Sequence, residues 1–175
     1  MLDLRTFVRD VPDFPRRGIV FKDITPLLSD PRALAQSIRQ MAGRVERPDA
    51  VVAIESRGFV FGAGLALEWH VPFVPARKFG KLPGKTVREV YSLEYGEDTL
   101  EIHADAVRPG QGVVIVDDLL ATGGTAAATA RLVEQLEGRV EALLFLVELA
   151  GLGGREKLAP YPVEALLEYQ VGAGA

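Results

Sequence analysis

Along the chain, short apolar runs alternate with longer stretches in which apolar residues recur every three or four positions. Asp30 and Pro31 are a cap and first-turn residue for a helix. Ala33, Leu34, Ile38 and Met41 follow at helical spacing before Gly43 weakens the pattern. AVVAIE at 50–55 is short, apolar and rich in β-branched residues, which predicts a buried strand. Gly58–Trp69 is Ala/Leu-rich and long enough for a helix, and VPFVP at 71–75 predicts a second strand. The Gly/Pro/Lys segment 80–85 excludes regular structure. Residues 87–95 and 99–104 alternate around Gly96 as a hairpin. VVIV at 113–116 is a buried strand, and an Ala-rich helix follows at about 126–137. A long strand at 140–149, a short helix at 152–158 and a last strand at 163–169 complete the pattern.

Strands alternating with helices define an α/β fold with a mainly parallel central sheet covered on both faces. No repeat or interdomain linker interrupts it, so residues 1–175 are expected to form a single domain. Ligands in such folds sit beyond the carboxyl ends of the strands. Three segments leave strands at that edge: 55–58, Arg77-Lys78, and 117–125.

Composition removes several alternatives. The 175 residues are 48% hydrophobic and 25% charged, enough apolar content to fill a core. No apolar run approaches the roughly 18 residues that span a membrane, and the first ten residues lack the apolar stretch of a secretory signal. A cytoplasmic address is the expectation. With no cysteine and only His70 and His103, disulfides, zinc–thiolate sites and histidine-rich metal sites are excluded. A net charge of −4 gives no global footprint for nucleic acid. Locally, however, Arg77, Lys78, Lys81, Lys85 and Arg88 fall together with no Asp or Glu among them. Such a run suits a small polyanion or is a solvated basic loop.

The chemistry concentrates in VVIVDDLLATGGT at 113–125. Asp117 and Asp118 leave a buried strand side by side, where they repel each other and are costly to desolvate. They need a cation or hydroxyl donors. A short loop later, Thr122, Gly123, Gly124 and Thr125 open a helix whose first amides are free and whose dipole favours an anion. A phosphate cup one loop from two hydroxyl-accepting carboxylates describes a ribose 5-phosphate. Two look-alikes fail on spacing. GKLPGKT at 80–86 has three residues between its glycines where a triphosphate loop needs four. Gly62-Ala63-Gly64 has Leu67 where a dinucleotide fold needs a third glycine. Gly62 and Gly64 read instead as close helix–sheet packing.

The 113–125 string resembles the phosphoribosyl diphosphate (PRPP) signature of the type I phosphoribosyltransferases. DFPRRGIVFKDITPLL, ESRGFVFG, ARKFGKLPG and YSLEYGEDTLEIH are similar to the adenine phosphoribosyltransferase family within that group. The resemblance covers nearly the whole chain. It implies a small N-terminal hood over the base, mainly residues 1–30, and a flexible lid hairpin at about 80–95. It implies transfer of the 5-phosphoribosyl group from PRPP to adenine, giving AMP and pyrophosphate, with Mg2+ held by PRPP and water rather than by direct protein ligands. It also implies a homodimer with no nucleic-acid or membrane partner.

The same resemblance assigns roles residue by residue. Asp117 and Asp118 bind the ribose hydroxyls. Ala121, Thr122, Gly123, Gly124 and Thr125 take the 5-phosphate. Ser56, Arg57, Arg77, Lys78 and Lys81 serve pyrophosphate, some of them across the dimer, and Arg57 also acts in catalysis. The Glu55–Ser56 peptide is expected to be cis. Phe14, Val20, Lys22 and Leu149 surround adenine, with Lys22 standing where the family often has arginine. Glu94 handles a purine proton, and Tyr95 lies beside it in the lid. The alternatives are a transferase for xanthine, hypoxanthine or guanine, and a PRPP-sensing purine-operon regulator. The regulator usually carries an added DNA-binding segment or a broad basic face that this sequence lacks.

Overall fold

The computed structural model describes residues 1–93 and 96–171. Its elements are β1 (Arg9–Pro12), β2 (Val20–Asp23), α1 (Thr25–Ser29), α2 (Pro31–Ala42), β3 (Ala50–Ile54), α3 (Gly58–Trp69), β4 (Phe73–Lys78), β5 (Thr86–Leu93), β6 (Gly96–His103), β7 (Gly112–Leu120), α4 (Gly124–Gln135), β8 (Arg139–Ala150), α5 (Gly154–Lys157) and β9 (Val163–Gln170). Among the described residues the main sheet has seven strands in the order β5-β6-β4-β3-β7-β8-β9. From β4 to β9 the neighbours are parallel; β5 and β6 form an antiparallel hairpin on the edge of β4. β1 and β2 form a separate antiparallel pair, the N-terminal hood.

Side-chain alternation explains the two layers. Val52 and Ile54 of β3, Ile115 of β7 and Phe145 of β8 pack with α4 and the hairpin. Val51, Ala53, Val114 and Leu144 pack with α2 and α3. α2 starts as its sequence predicts: Asp30 caps Arg32 and Ala33 through Oδ1, with Pro31 in the first turn. Gly62 lets α3 settle on Ala53 of the sheet, as expected. Gly64 instead receives Ile38 of α2, so its missing side chain serves helix–helix packing.

Other boundaries differ from the sequence expectation. β4 begins at Phe73 and runs on through Lys78. Pro75 is tolerated there because β6 joins β4 only at Arg77 and Lys78, which leaves that edge of Pro75 unpaired. β7 does not stop at Val116 but carries both acids and ends at Leu120. Segment 80–85 contains no helix or strand, as its composition predicts. The segment is tied down from within and at its end: the buried Glu101 accepts hydrogen bonds from the amides of Lys81 and Leu82 and from Thr86 Oγ1. Further along, Glu89 of β5 pairs with Arg131 and Gln135 of α4.

Candidate active site

The carboxyl edge of β3 and β7 opens on a cavity of about 390 Å3, lined by Glu55, Arg57, Lys78, Tyr91, Asp98, Asp117, Asp118 and Thr125 among others. A smaller cavity of about 110 Å3 adjoins it, walled by Ala121, Thr122, Gly123, Gly124 and Thr125. Asp117 lines both, so the acid pair and the cup that the sequence places one loop apart share one continuous site.

The acids sit where the ladder between β7 and β8 skips a pair. Asp117 pairs with Phe145 and Leu119 with Val147, while the Asp118 amide turns to Asp117 Oδ1 at 2.8 Å. Gly58 makes room for this carboxylate, because a Cβ there would lie 2.7 Å from Asp117 Oδ1. Burial, reinforced by the neighbouring Asp118 charge, pushes the Asp117 carboxyl well above its ordinary range. Burial also raises Asp118, against the pull of the Arg57 guanidinium. Arg57 Nε stands 3.0 Å from Asp118 Oδ2, but the contact is not aligned as a hydrogen bond. That oxygen accepts none among the described residues. Asp118 lines the cavity, but this oxygen is buried against Arg57, so it is an unfilled acceptor that a ligand hydroxyl reaches only if Arg57 shifts.

The cup is formed where Gly123 takes a left-handed conformation, φ 77°, and α4 begins at Gly124. The amides of Thr122, Gly123, Gly124 and Thr125 find no hydrogen-bond partner among the described residues. With the helix dipole behind them they form an anion seat.

Arg77, Lys78 and Lys81 converge here too, but not as bare charges. Arg77 Nε donates to Glu55 Oε2 and Lys81 Nζ to Glu55 Oε1, each at 3.0 Å, while Lys78 Nζ reaches Asp98 Oδ2 at 2.9 Å. Arg88 faces Glu101. Four of the five cations of the acid-free run are therefore matched by Glu55, Asp98 and Glu101, so the run is neither a bare polyanion site nor simply a solvated loop. Although burial works against it, hydrogen bonds from Lys81 and Arg77 hold the Glu55 carboxyl below its usual value. The Glu55–Ser56 peptide is cis, as expected, and Ser56 lines the cavity with Arg57.

The hood carries the other candidates. Phe14 and Val20 are 51% and 48% exposed. Phe14 lies edge-on to Phe21 at 5.2 Å, and the Arg57 guanidinium covers the Phe21 ring at 5.3 Å. Phe14, Phe21, Arg57 and Asp118 thus form one line of contacts from hood to acid pair. Lys22 is turned away, bonded to Asp10 at 2.6 Å and lying 4.4 Å over the Tyr169 ring. Tyr169 is the register partner of Leu149, so Lys22 and Leu149 both neighbour Tyr169. Glu94 and Tyr95 lie outside the described residues. Sequence reasoning missed Phe21, though it stands between the two selected positions Val20 and Lys22. It also assigned no binding role to Glu55, Tyr91 or Asp98, although each falls within a string it singled out.

A mainly parallel sheet with a loop of free amides and paired acids at its carboxyl edge points to a class, and the comparisons agree with it. The phosphoribosyl transferase domain family matches residues 21–157, and the chain belongs to that family. It is 54% identical over 171 residues to the adenine phosphoribosyltransferase of Natranaerobius thermophilus, spanning 97% of this chain and 100% of that one. Its fold is similar to that of the adenine phosphoribosyltransferase of Thermoanaerobacter pseudethanolicus, with a TM-score of 0.92 and 52% identity over 95% of this chain and 98% of that one. The Saccharomyces cerevisiae enzyme, at TM-score 0.86 and 42% identity over 94% and 97% of the two chains, was solved with D-2,5-dideoxy-2,5-imino-altritol 1,6-bisphosphate and adenine.

Proposed function

We propose that the chain transfers the 5-phosphoribosyl group of PRPP to adenine, releasing pyrophosphate and forming AMP for purine salvage. The carrying observation is that Asp117 belongs at once to the cup and to the larger cavity, which supports reading the two as a phosphate seat beside a diol-binding acid. The relatives, which bear the adenine name, favour adenine over the other purines and over a regulatory role.

In this reading the 5-phosphate rests on the amides of the 121–125 loop, and the ribose hydroxyls donate to Asp117 and Asp118. As a purine nitrogen approaches the anomeric carbon, positive charge grows on the sugar. Arg57, Arg77, Lys78 and Lys81, with Ser56, receive the departing pyrophosphate, exchanging Asp118, Glu55 and Asp98 for a stronger anion. Adenine lies against Phe14, Val20 and Leu149 in the hood, near the backbone of Lys22, while Glu94 handles its ring proton and Tyr95 helps to close the site. Among the described residues no three His, Cys, Asp or Glu side chains converge on one point. The carboxylates that line the cavity form no cluster of three, which suits hydrogen bonds to the waters of a hydrated Mg2+. Held chiefly by PRPP oxygens, Mg2+ would offset charge on the leaving group.

The assembly we propose is a homodimer in the cytoplasm. On α3, Val60, Ala63 and Leu67 are exposed at helical spacing, Leu67 by 77%, with Phe73 partly exposed at the start of β4. This is an apolar stripe that a second copy would cover. No described helix is long and apolar enough to cross a membrane.

The test is product formation by purified protein given PRPP, Mg2+ and each purine in turn. AMP from adenine, with hypoxanthine and guanine slow, is the expected outcome. Equal rates on all three bases would remove the adenine assignment.

A further inference from the structure

The cup at the head of α4 is built from neutral groups. Ala121, Thr122, Gly123, Gly124 and Thr125 offer amides and hydroxyls but no charge. A phosphate monoester brings about two negative charges at neutral pH. The site's other cations stand opposite carboxylates: Arg57 faces Asp118, Arg77 and Lys81 share Glu55, and Lys78 faces Asp98.

Lys157 is placed differently. Its Nζ lies 3.8 Å from where a Cβ on Gly124 would be. Among the described residues its ammonium has neither a hydrogen bond nor an ion pair. Arg155 of the same short helix is already committed to Glu148.

The placement is built rather than casual. α5 meets the cup backbone to backbone: a Cβ on Gly123 would fall 2.9 Å from the Gly154 carbonyl oxygen and 3.3 Å from its Cα. Gly154 is itself buried, and a side chain there would strike the Ala121 carbonyl and Leu120. Leu158, fully buried, anchors the exit of the turn 3.4 Å from the same Gly123 position. Two glycines without side chains and one buried leucine thus wedge α5 against the loop. Lys157, one helical turn beyond Gly154, emerges beside Gly124.

We propose that Lys157 is a further ligand of the 5-phosphate, supplying the charge that the neutral cup lacks. This rests on the reading of the 121–125 loop as the 5-phosphate site. The division of labour is physical: fixed amides set the direction of the phosphate oxygens. An ammonium with three rotatable donors adds attraction without demanding one geometry.

Calorimetry with AMP and with adenosine, on the native protein and on Lys157→Ala and Lys157→Arg, tests it. We expect Lys157→Ala to bind AMP about tenfold more weakly and to raise KM for PRPP by a similar factor. Adenosine affinity, kcat and melting temperature should hold, and Lys157→Arg should recover most of the AMP affinity. If native protein prefers AMP to adenosine and Lys157→Ala keeps that preference in full, the proposal is overturned while the cup reading stands. If native protein binds both ligands equally, the cup reading itself fails. Parallel loss of AMP and adenosine binding would mark Lys157 as structural and overturn its role as a ligand.

Discussion

Arg57 holds Asp118 by charge alone: Nε and Oδ2 are 3.0 Å apart without the alignment of a hydrogen bond. The oxygen therefore keeps its accepting capacity while its charge is partly compensated. Because the oxygen is buried, a sugar hydroxyl reaches it only when Arg57 moves aside, a movement that would also release the guanidinium to an arriving anion.

From this contact, Asp118→Asn should raise KM for PRPP at least tenfold, since an amide accepts a hydroxyl proton more weakly than a carboxylate does. Its melting temperature should change little, because Arg57 is partly exposed and can be hydrated. Steady-state kinetics beside a thermal melt checks both. An unaltered PRPP dependence would remove the ribose role.

Asp117 gives a pH-dependent expectation. Its carboxyl is raised by burial and by Asp118, so the folded state keeps a proton that the unfolded chain sheds near pH 3.8. The stability tied to that proton is complete below this pH and is lost as pH climbs through the raised folded value. Asp117→Asn cannot ionise and still accepts the Asp118 amide through Oδ1. It should melt about 2–4 °C higher than the native protein at pH 7, equivalent to roughly 1 kcal/mol. The gap should close toward pH 3. A constant offset at every pH would contradict this account.

In the proposed reading, Glu55 and pyrophosphate compete for the same two cations, Arg77 and Lys81. Glu55→Gln should therefore bind pyrophosphate roughly three- to tenfold more tightly, within the range of a partly exposed ion pair. Turnover should slow through product retention. Product-inhibition constants read this directly, and weaker pyrophosphate binding would show that Glu55 aligns Arg77 and Lys81 rather than masking them.

Leu67 leads the exposed stripe of α3. Leu67→Asp should shift the sedimentation mass from two chains to one in the native buffer. A native protein that sediments as one chain would end the dimer reading.

What the sequence revealed depended on how local each signal was. The buried strands β3, β7 and β8 announce themselves through unbroken β-branched and aliphatic runs, and α2 through the Asp30 cap. β1 and β2 escape notice because each is four residues long, and Arg9 and Asp10 give β1 no apolar alternation. α1 is only five residues long and has no side-chain cap. The acids and the cup are legible since 113–125 is one contiguous string. The partnership of Lys81 with Glu55, 26 residues away, is not. Nor is the stacking of Arg57 on Phe21, which depends on the hood folding back over the sheet. Lys157 has no motif around it, and only the folded chain, which brings its Nζ beside Gly124, reveals its position.

Glu101 secures the residues leading into the β5–β6 hairpin, and Arg131 and Gln135 secure its middle through Glu89. A cover stitched at both places cannot pivot from its root like a door. The wall it gives the cavity at Tyr91 and Asp98 is thereby set by its attachments to Glu101 and to α4.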